Sequence, residues 1–288
     1  MNTKDLLKKV RRLEIKTKGL TKLIFSGEYN SAFKGRGMAF SEVRDYQFGD
    51  EVKTIDWNVT ARFNEPYVKI FEEERELSVM LIIDVSGSEF FGSKDKTKKE
   101  LALELAAVLS FSALNNNDKV GAIFVSDKIE KFIPPGKGRK HALIILRELI
   151  ELIPTSKGTD LNIALKYFRN TQKKRAIAFV ISDFLDEGDF LEGMKISGKK
   201  HDIVALRLVD EAEKTLPDLG FIELFNAETG EKTWVNSSSA QAQEIHASNF
   251  QNTETELLKN FQSNGIDACS ISTNADFIKP LIHLFKNR

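Results

Sequence analysis

The sequence predicts an α/β domain with a central, mostly parallel sheet and helices on both faces. Short, almost continuously apolar runs such as 78–84 and 176–182 alternate with segments whose apolar residues recur at helical spacing. Strands that are apolar on both faces are typical of a parallel sheet that is covered on both sides. Ligands of such sheets collect at the carboxyl ends of the strands, so functional residues are expected there.

The elements follow one another in a regular order. The predicted strands are 78–84, 119–126, 176–182, 202–209 and 267–272. The predicted helices are 96–114, which we interpret as amphipathic, then 139–153, 161–170, 189–195, 254–264 and 275–285. Residues 237–249 are polar and fit either a helix start or a loop.

Residues 217–236 interrupt the alternation and predict a β-hairpin insert with its turn at 228–231. We expect this hairpin to extend the sheet or to cover one of its edges. Residues 1–76 are a different kind of sequence: an amphipathic helix near the start precedes a small β-rich module with many glycines and aromatics. The predicted division is therefore a helix and module over 1–76 and the main domain over 77–288.

Composition excludes several classes of function. Lys plus Arg and Asp plus Glu both number 42 in the 288 residues, so no overall charge attracts nucleic acid or an anionic membrane. The single cysteine, Cys269, excludes an internal disulfide and a cysteine-based structural zinc site. No apolar run approaches the roughly 20 residues of a membrane span, so we expect a cytoplasmic protein without stable membrane insertion. The four histidines lack ligand spacing and no phosphate-binding loop is present, which predicts no intrinsic ATPase.

The chemistry-bearing residues lie at predicted strand ends. Asp84, Ser86 and Ser88 directly follow the first apolar strand, and they offer one carboxylate and two hydroxyls from a tight loop. Thr159 precedes a helix, and Asp183 ends the strand 176–182. Hard oxygen ligands of this kind suit Mg²⁺ or Mn²⁺. Helix caps and turns use the same residue types, but three such features at one sheet edge favour a metal site.

This set, in this order, resembles the metal-ion-dependent adhesion site of von Willebrand factor A domains, which have a Rossmann-type fold. The resemblance implies that the two serines and the threonine coordinate the ion and that the aspartates act directly or through water. It also implies an open position for a carboxylate from a partner. Glu89 departs from the pattern, because many such loops carry methionine there.

The upstream sequence resembles a large bacterial family of uncharacterised von Willebrand A-like proteins associated with MoxR-type AAA+ ATPases, the family of the domain of unknown function fifty-eight. The matching strings are Gly35-Arg-Gly, Tyr46-Gln-Phe-Gly-Asp50, Ile55-Asp-Trp57 and Thr60-Ala-Arg62. The resemblance implies a chaperone-like role with an AAA+ ATPase and a client protein that supplies the acidic residue. Two interpretations remain for the charged and aromatic residues of this series: a structural clamp or a partner-docking surface, formed by Arg44, Asp50, Asp56, Trp57 and Arg62.

The sequence thus predicts Mg²⁺-dependent protein binding without enzymatic activity. A first alternative is a metal-dependent hydrolase, in which Asp84 and Asp183 hold an ion that activates water. Hydroxyls dominate the ligand set and no general base stands nearby in sequence, which disfavours it. A second alternative is a scaffold with a vestigial metal site.

Overall fold

The computed structural model describes residues 39–72, 77–92, 96–156, 158–186, 188–225 and 232–286. The predicted N-terminal helix, the string Gly35-Arg-Gly and the hairpin turn at 228–231 lie outside these residues. The described residues divide into two compact units, a smaller one over 39–72 and a larger one over 77–286.

The smaller unit is built on an antiparallel pair of strands, β1 (Ala39–Asp45) and β2 (Tyr67–Glu72). Between them lie a 3₁₀ turn (Val52–Thr54) and a short helix, α1 (Trp57–Phe63). The carboxylate of Asp56 caps α1 by accepting hydrogen bonds from two backbone N–H groups of the first turn.

The larger unit contains a six-stranded sheet. Its strands are β3 (Ser78–Asp84), β4 (Lys119–Val125), β5 (Ile129–Gly136), β6 (Ile177–Ser182), β7 (Asp202–Val209) and β10 (Asp267–Ser272). Their order in the sheet is β10-β7-β6-β3-β4-β5. All neighbours are parallel except β5, which runs antiparallel to β4. The predicted α/β class with a mostly parallel sheet is confirmed, and β5 is an edge strand that was not predicted from the sequence.

The helices of this unit lie in the connections between strands and after the last strand, and two of them follow each other without a strand between them. They are α2 (Lys98–Asn115), α3 (Arg139–Glu151), α4 (Leu161–Thr171), α5 (Phe190–Gly198), α6 (Glu211–Lys214), α7 (Ala240–Ser263) and α8 (Ile278–Lys286). The interpretation of α2 as amphipathic is wrong, because thirteen of its 18 residues are buried. A helix that is apolar on nearly all sides belongs inside a core.

Helices cover both faces of the sheet. Alternate residues of the central strands, such as Ala178 and Val180, pack with buried side chains of α4, α5 and α7. The residue between them, Phe179, faces the other side and meets Phe285 of α8 edge-on, with ring centroids 6.0 Å apart. The strand ends are therefore held between two layers of helices.

Residues 217–236 contain two antiparallel strands, β8 (Phe221–Phe225) and β9 (Lys232–Asn236). They form a separate two-stranded sheet. Of the two expected arrangements, extension of the six-stranded sheet is therefore wrong. The polar residues 240–249 belong to α7, which is longer than the predicted helix. Within the described ranges, no helix combines the length and the apolar character that crossing a membrane requires.

Candidate metal centre

The candidate centre lies where β3 and β6 end side by side. These strands are parallel neighbours in register, with Ile83 opposite Ile181. Asp84, the last residue of β3, and Asp183, which follows the last residue of β6, therefore leave the sheet at the same edge. Both are buried.

Two hydrogen bonds orient the carboxylate of Asp84. The backbone N–H of Ser86 donates to its Oδ1 at 2.9 Å, and the hydroxyl of Ser182 donates to its Oδ2 at 2.8 Å. The Ser86 and Ser88 hydroxyl oxygens lie 3.2 Å apart, so the loop presents both on one side. Four of the predicted residues, including Asp183, are thereby brought to this edge of the sheet.

A buried lysine pairs with the second aspartate. Lys98, the first residue of α2, is fully buried, and its Nζ lies 2.9 Å from Oδ2 of Asp183. The same ammonium group forms an ion pair with Glu213 of α6. The other oxygen of Asp183 accepts a hydrogen bond from the backbone N–H of Leu185 at 3.2 Å.

A third carboxyl group faces the two aspartates. Glu89 lies in the 3₁₀ turn Gly87–Phe90, and only 1% of its surface is exposed. Among the described residues, neither of its carboxylate oxygens has a hydrogen-bond partner. One ligand atom each from Asp84, Glu89 and Asp183 lie within 4.8 Å of one another.

Burial and the nearby charges shift the pKa values of Asp84 and Glu89. Burial, and then the charge of Asp183, raises the pKa of Asp84 to about 7. Burial, followed by the charges of Asp84 and Asp183, raises the pKa of Glu89 well above its usual range. Burial lowers the pKa of Lys98, but its acidic neighbours outweigh this and the net shift is upward. The raised pKa values of the two carboxyl groups indicate that the positive charge near them does not compensate their ionised forms.

This donor set fits a divalent cation. The carboxylates and the two serine hydroxyls are hard oxygen ligands, and Glu89 brings two buried oxygens that no donor among the described residues satisfies. A buried cluster of carboxyl groups capable of holding a metal ion is therefore present in the chain. A bound cation would share Asp183 with Lys98.

Thr159, the remaining predicted ligand, lies in the loop before α4. The backbone N–H of Asp160 donates to the carbonyl of Ser126 at the end of β4, at 2.9 Å. The next N–H, of Leu161, donates at 2.9 Å to the carboxylate of Asp186, in the segment after β6. These bonds hold the Thr159 loop at the same edge of the sheet as the carboxylates.

The upstream residues make their described contacts inside the smaller unit. Arg44 and Asp50 form a two-pronged ion pair with both N–O distances at 2.8 Å, and hydrogen bonding from Arg44 lowers the pKa of Asp50. Asp56 caps α1 and lies 3.5 Å from Lys69. Trp57 and Arg62 are exposed on α1. The first three therefore stabilise the fold of this unit itself.

No role for Lys98 or Glu213 was predicted from the sequence. One signal was available for Lys98, because a lysine at the first position of a helix opposes the helix dipole. Glu89 was noted only as a departure from a pattern.

The fold and the site define an α/β domain with a cluster of acidic and hydroxyl side chains at the carboxyl edge of its sheet. The chain belongs to the family described as "Protein of unknown function DUF58", whose model matches residues 42–256. This confirms the family predicted from the sequence.

Similar proteins include the uncharacterized protein Rv1480 of Mycobacterium tuberculosis, which is 30% identical over 77% of this chain and 70% of its own length. The uncharacterized protein YeaD of Bacillus subtilis is 28% identical over 38% of this chain and 25% of its own length. Among solved structures, the conserved hypothetical protein BatB of Bacteroides thetaiotaomicron aligns at 17% identity, with a TM-score of 0.48, over 73% of this chain and 98% of that one. The family assignment rests on the sequence matches.

Proposed function

We propose that this protein binds Mg²⁺ or Mn²⁺ at its sheet edge and uses the ion to bind a carboxylate of another protein. The ion is held by Ser86, Ser88 and Thr159, with Asp84 and Asp183 as direct or water-mediated ligands. The observation that carries the proposal is the convergence of three buried carboxyl groups and two serine hydroxyls on one edge.

The charge of the cluster supports a dication. Asp84, Glu89, Asp183 and Glu213 are opposed by the ammonium of Lys98 and by the buried guanidinium of Arg207, which also donates to the carbonyl of Asp183. Full ionisation of the four acids therefore leaves an excess of negative charge in a buried site. Such an excess is costly unless a cation neutralises it. Mg²⁺ also keeps water molecules as ligands, which leaves a position for exchange with a partner's oxygen.

The proposed partners are a MoxR-type AAA+ ATPase and a client protein, one of which supplies the acidic residue. This part follows from the family resemblance. In this role the protein binds rather than turns over a substrate, and the metal couples the affinity of the interface to one acidic side chain. We place the protein in the cytoplasm.

The first test is direct titration of the full chain with Mg²⁺ by calorimetry, with Ser86→Ala and Asp183→Asn beside the wild type. We expect the wild type to bind and both variants to bind at least tenfold more weakly, because mutation even of residues that only support metal ligands typically costs about 10- to 100-fold in affinity. Ser110→Ala is the matched control, because Ser110 is an equally buried serine in the middle of α2. Equal binding by all four proteins would refute the site.

The second test is capture of partners from the host's lysate in Mg²⁺ and in chelator. An AAA+ ATPase retained only with Mg²⁺ and intact Ser86 supports a metal-bridged interface. The same partners in every sample would exclude the metal from binding them and would make the Arg44–Arg62 series the better candidate. Hydrolysis of generic phosphoesters that is lost in Asp183→Ala would favour the hydrolase alternative instead.

A further inference from the structure

We propose that Glu89 is an internal carboxylate of the cation site, which binds the ion in the unpartnered protein and which a partner's carboxylate has to displace. The inference rests on the proposed function and deepens it, because it assigns a residue outside the motif to the open position of the site. In the absence of a partner, the open ligand position is then occupied by the protein's own carboxylate.

Burial and lack of partners argue for this role. A glutamate whose surface is 1% exposed normally has a hydrogen-bond or ion-pair partner, because an unpaired buried carboxylate is costly. Both oxygens of Glu89 lack a hydrogen-bond partner among the described residues. The carboxyl groups of Asp84 and Asp183 face it within 4.8 Å, and they repel rather than satisfy it.

The backbone holds Glu89 in this place. Its N–H donates to the carbonyl of Ser86 at 3.3 Å, which closes the 3₁₀ turn that carries the two serines. The next turn of chain is tied to α2, because the N–H of Lys98 donates to the carbonyl of Phe91 at 3.0 Å. The glutamate therefore belongs to the same rigid loop as the serine ligands.

The charges indicate what Glu89 replaces. Asp84 and Asp183 together balance a dication, so a third carboxylate brings the charge that a partner's acid would otherwise bring. With Glu89 ionised beside the ion, the three carboxylates exceed the charge of the dication by one, so an incoming carboxylate is repelled unless Glu89 leaves the ion. Without Glu89, the ion attracts that carboxylate more strongly.

The test uses Mn²⁺ as the metal and acetate as the probe carboxylate, on the full chain. Glu89→Gln removes the charge with little change of shape, and Glu89→Met also removes both oxygens. Glu104→Gln is the control, because Glu104 pairs with Lys96 outside the cluster. Mn²⁺ affinity is measured by calorimetry, and acetate binding by the paramagnetic broadening of its methyl proton signal.

We expect both Glu89 variants to bind Mn²⁺ about 10- to 100-fold more weakly than the wild type, with Glu104→Gln unchanged. At saturating Mn²⁺ we expect acetate to be broadened several-fold more by the Glu89 variants, although they hold the metal less tightly. Thermal unfolding in chelator shows that the variants fold. Their midpoints should equal or exceed that of the wild type, because a buried unpaired acid has been removed.

Two results overturn the inference while the proposed function stands. One is Mn²⁺ affinity that depends on Ser86 but is within twofold of wild type in both Glu89 variants. The other is that the Glu89 variants bind the metal more weakly but do not broaden the acetate signal more than the wild type does. That result would exclude Glu89 from the open ligand position that a partner's carboxylate occupies. Wild-type protein that binds no Mn²⁺ at millimolar concentration would overturn both proposals, and it is recognised without any variant.

Discussion

Replacing Lys98 with methionine tests whether the buried ion pair holds the candidate site together. The side chain of Lys98 is fully buried, and that of its partner Asp183 is 3% exposed, so water does not replace the lost ammonium. Methionine keeps the length and most of the volume of lysine. The change leaves several buried carboxyl groups without their cation.

Removal of one partner of a buried ion pair costs about 3–5 kcal/mol. We expect a loss at the upper end of this range, because Lys98 pairs with Glu213 as well as with Asp183. Proton uptake by Asp84, whose pKa is already raised to about 7, limits the loss. Lys96→Met is the matched control: its 2.7 Å pair with Glu104 is 19% and 22% exposed, and we expect a loss of about 1 kcal/mol.

The assay is urea unfolding at pH 7.5, followed by far-ultraviolet circular dichroism, in chelator and in 10-fold excess of Mg²⁺ over its dissociation constant. If the cation takes over the role of the ammonium, Mg²⁺ should recover part of the stability of Lys98→Met. A loss in Lys98→Met no larger than in Lys96→Met would refute the reasoning. Equal losses with and without Mg²⁺ would show that the ion and the ammonium do not share Asp183.

Two further predictions concern stability away from the site. Burial, and then nearby basic side chains, lower the pKa of His201 from 6.5 to about 4. Between pH 6.5 and pH 4, His201 therefore binds a proton in the unfolded chain but not in the folded protein. Stability should fall as the pH drops from 6.5 to 4, by up to about 3 kcal/mol from this residue, and His201→Gln should flatten the urea profile. Gly121→Ala should cost about 1–3 kcal/mol, because its Cβ would lie 2.8 Å from the carbonyl oxygen of Ile133. The same change at Gly198, where nothing lies within 4 Å, should leave the melting temperature unchanged or raise it.

The strands of the sheet were predictable because their apolar runs are continuous, and 202–209 was predicted to the residue. The edge strand β5 was missed because Ile129–Gly136 is only partly buried and contains two prolines, which the edge of a sheet tolerates. The start of α7 was left open between a helix and a loop because residues 240–249 are polar and mostly exposed, so no apolar stripe marks them; the structure shows the helix. Burial of α2 on nearly all sides removed the periodicity that distinguishes an amphipathic helix.

The candidate site was predictable where it follows from strand ends. Asp84 and Asp183 come together because β3 and β6 are parallel neighbours. Lys98 was not predictable in this way, because it reaches Asp183 across 85 residues of sequence and from the start of a helix. Only the packing of α2 against the sheet brings that ammonium to the strand ends.

Burial of α2 has a consequence for how the larger unit opens. Its first residue belongs to the acidic cluster, and the residues that follow it line the core. Fraying of the first turn would therefore break the ion pairs and expose core side chains in the same event. Amide hydrogen exchange at Leu101 and Ala102 should consequently be as slow as in the central strands, and it should slow further when Mg²⁺ is added.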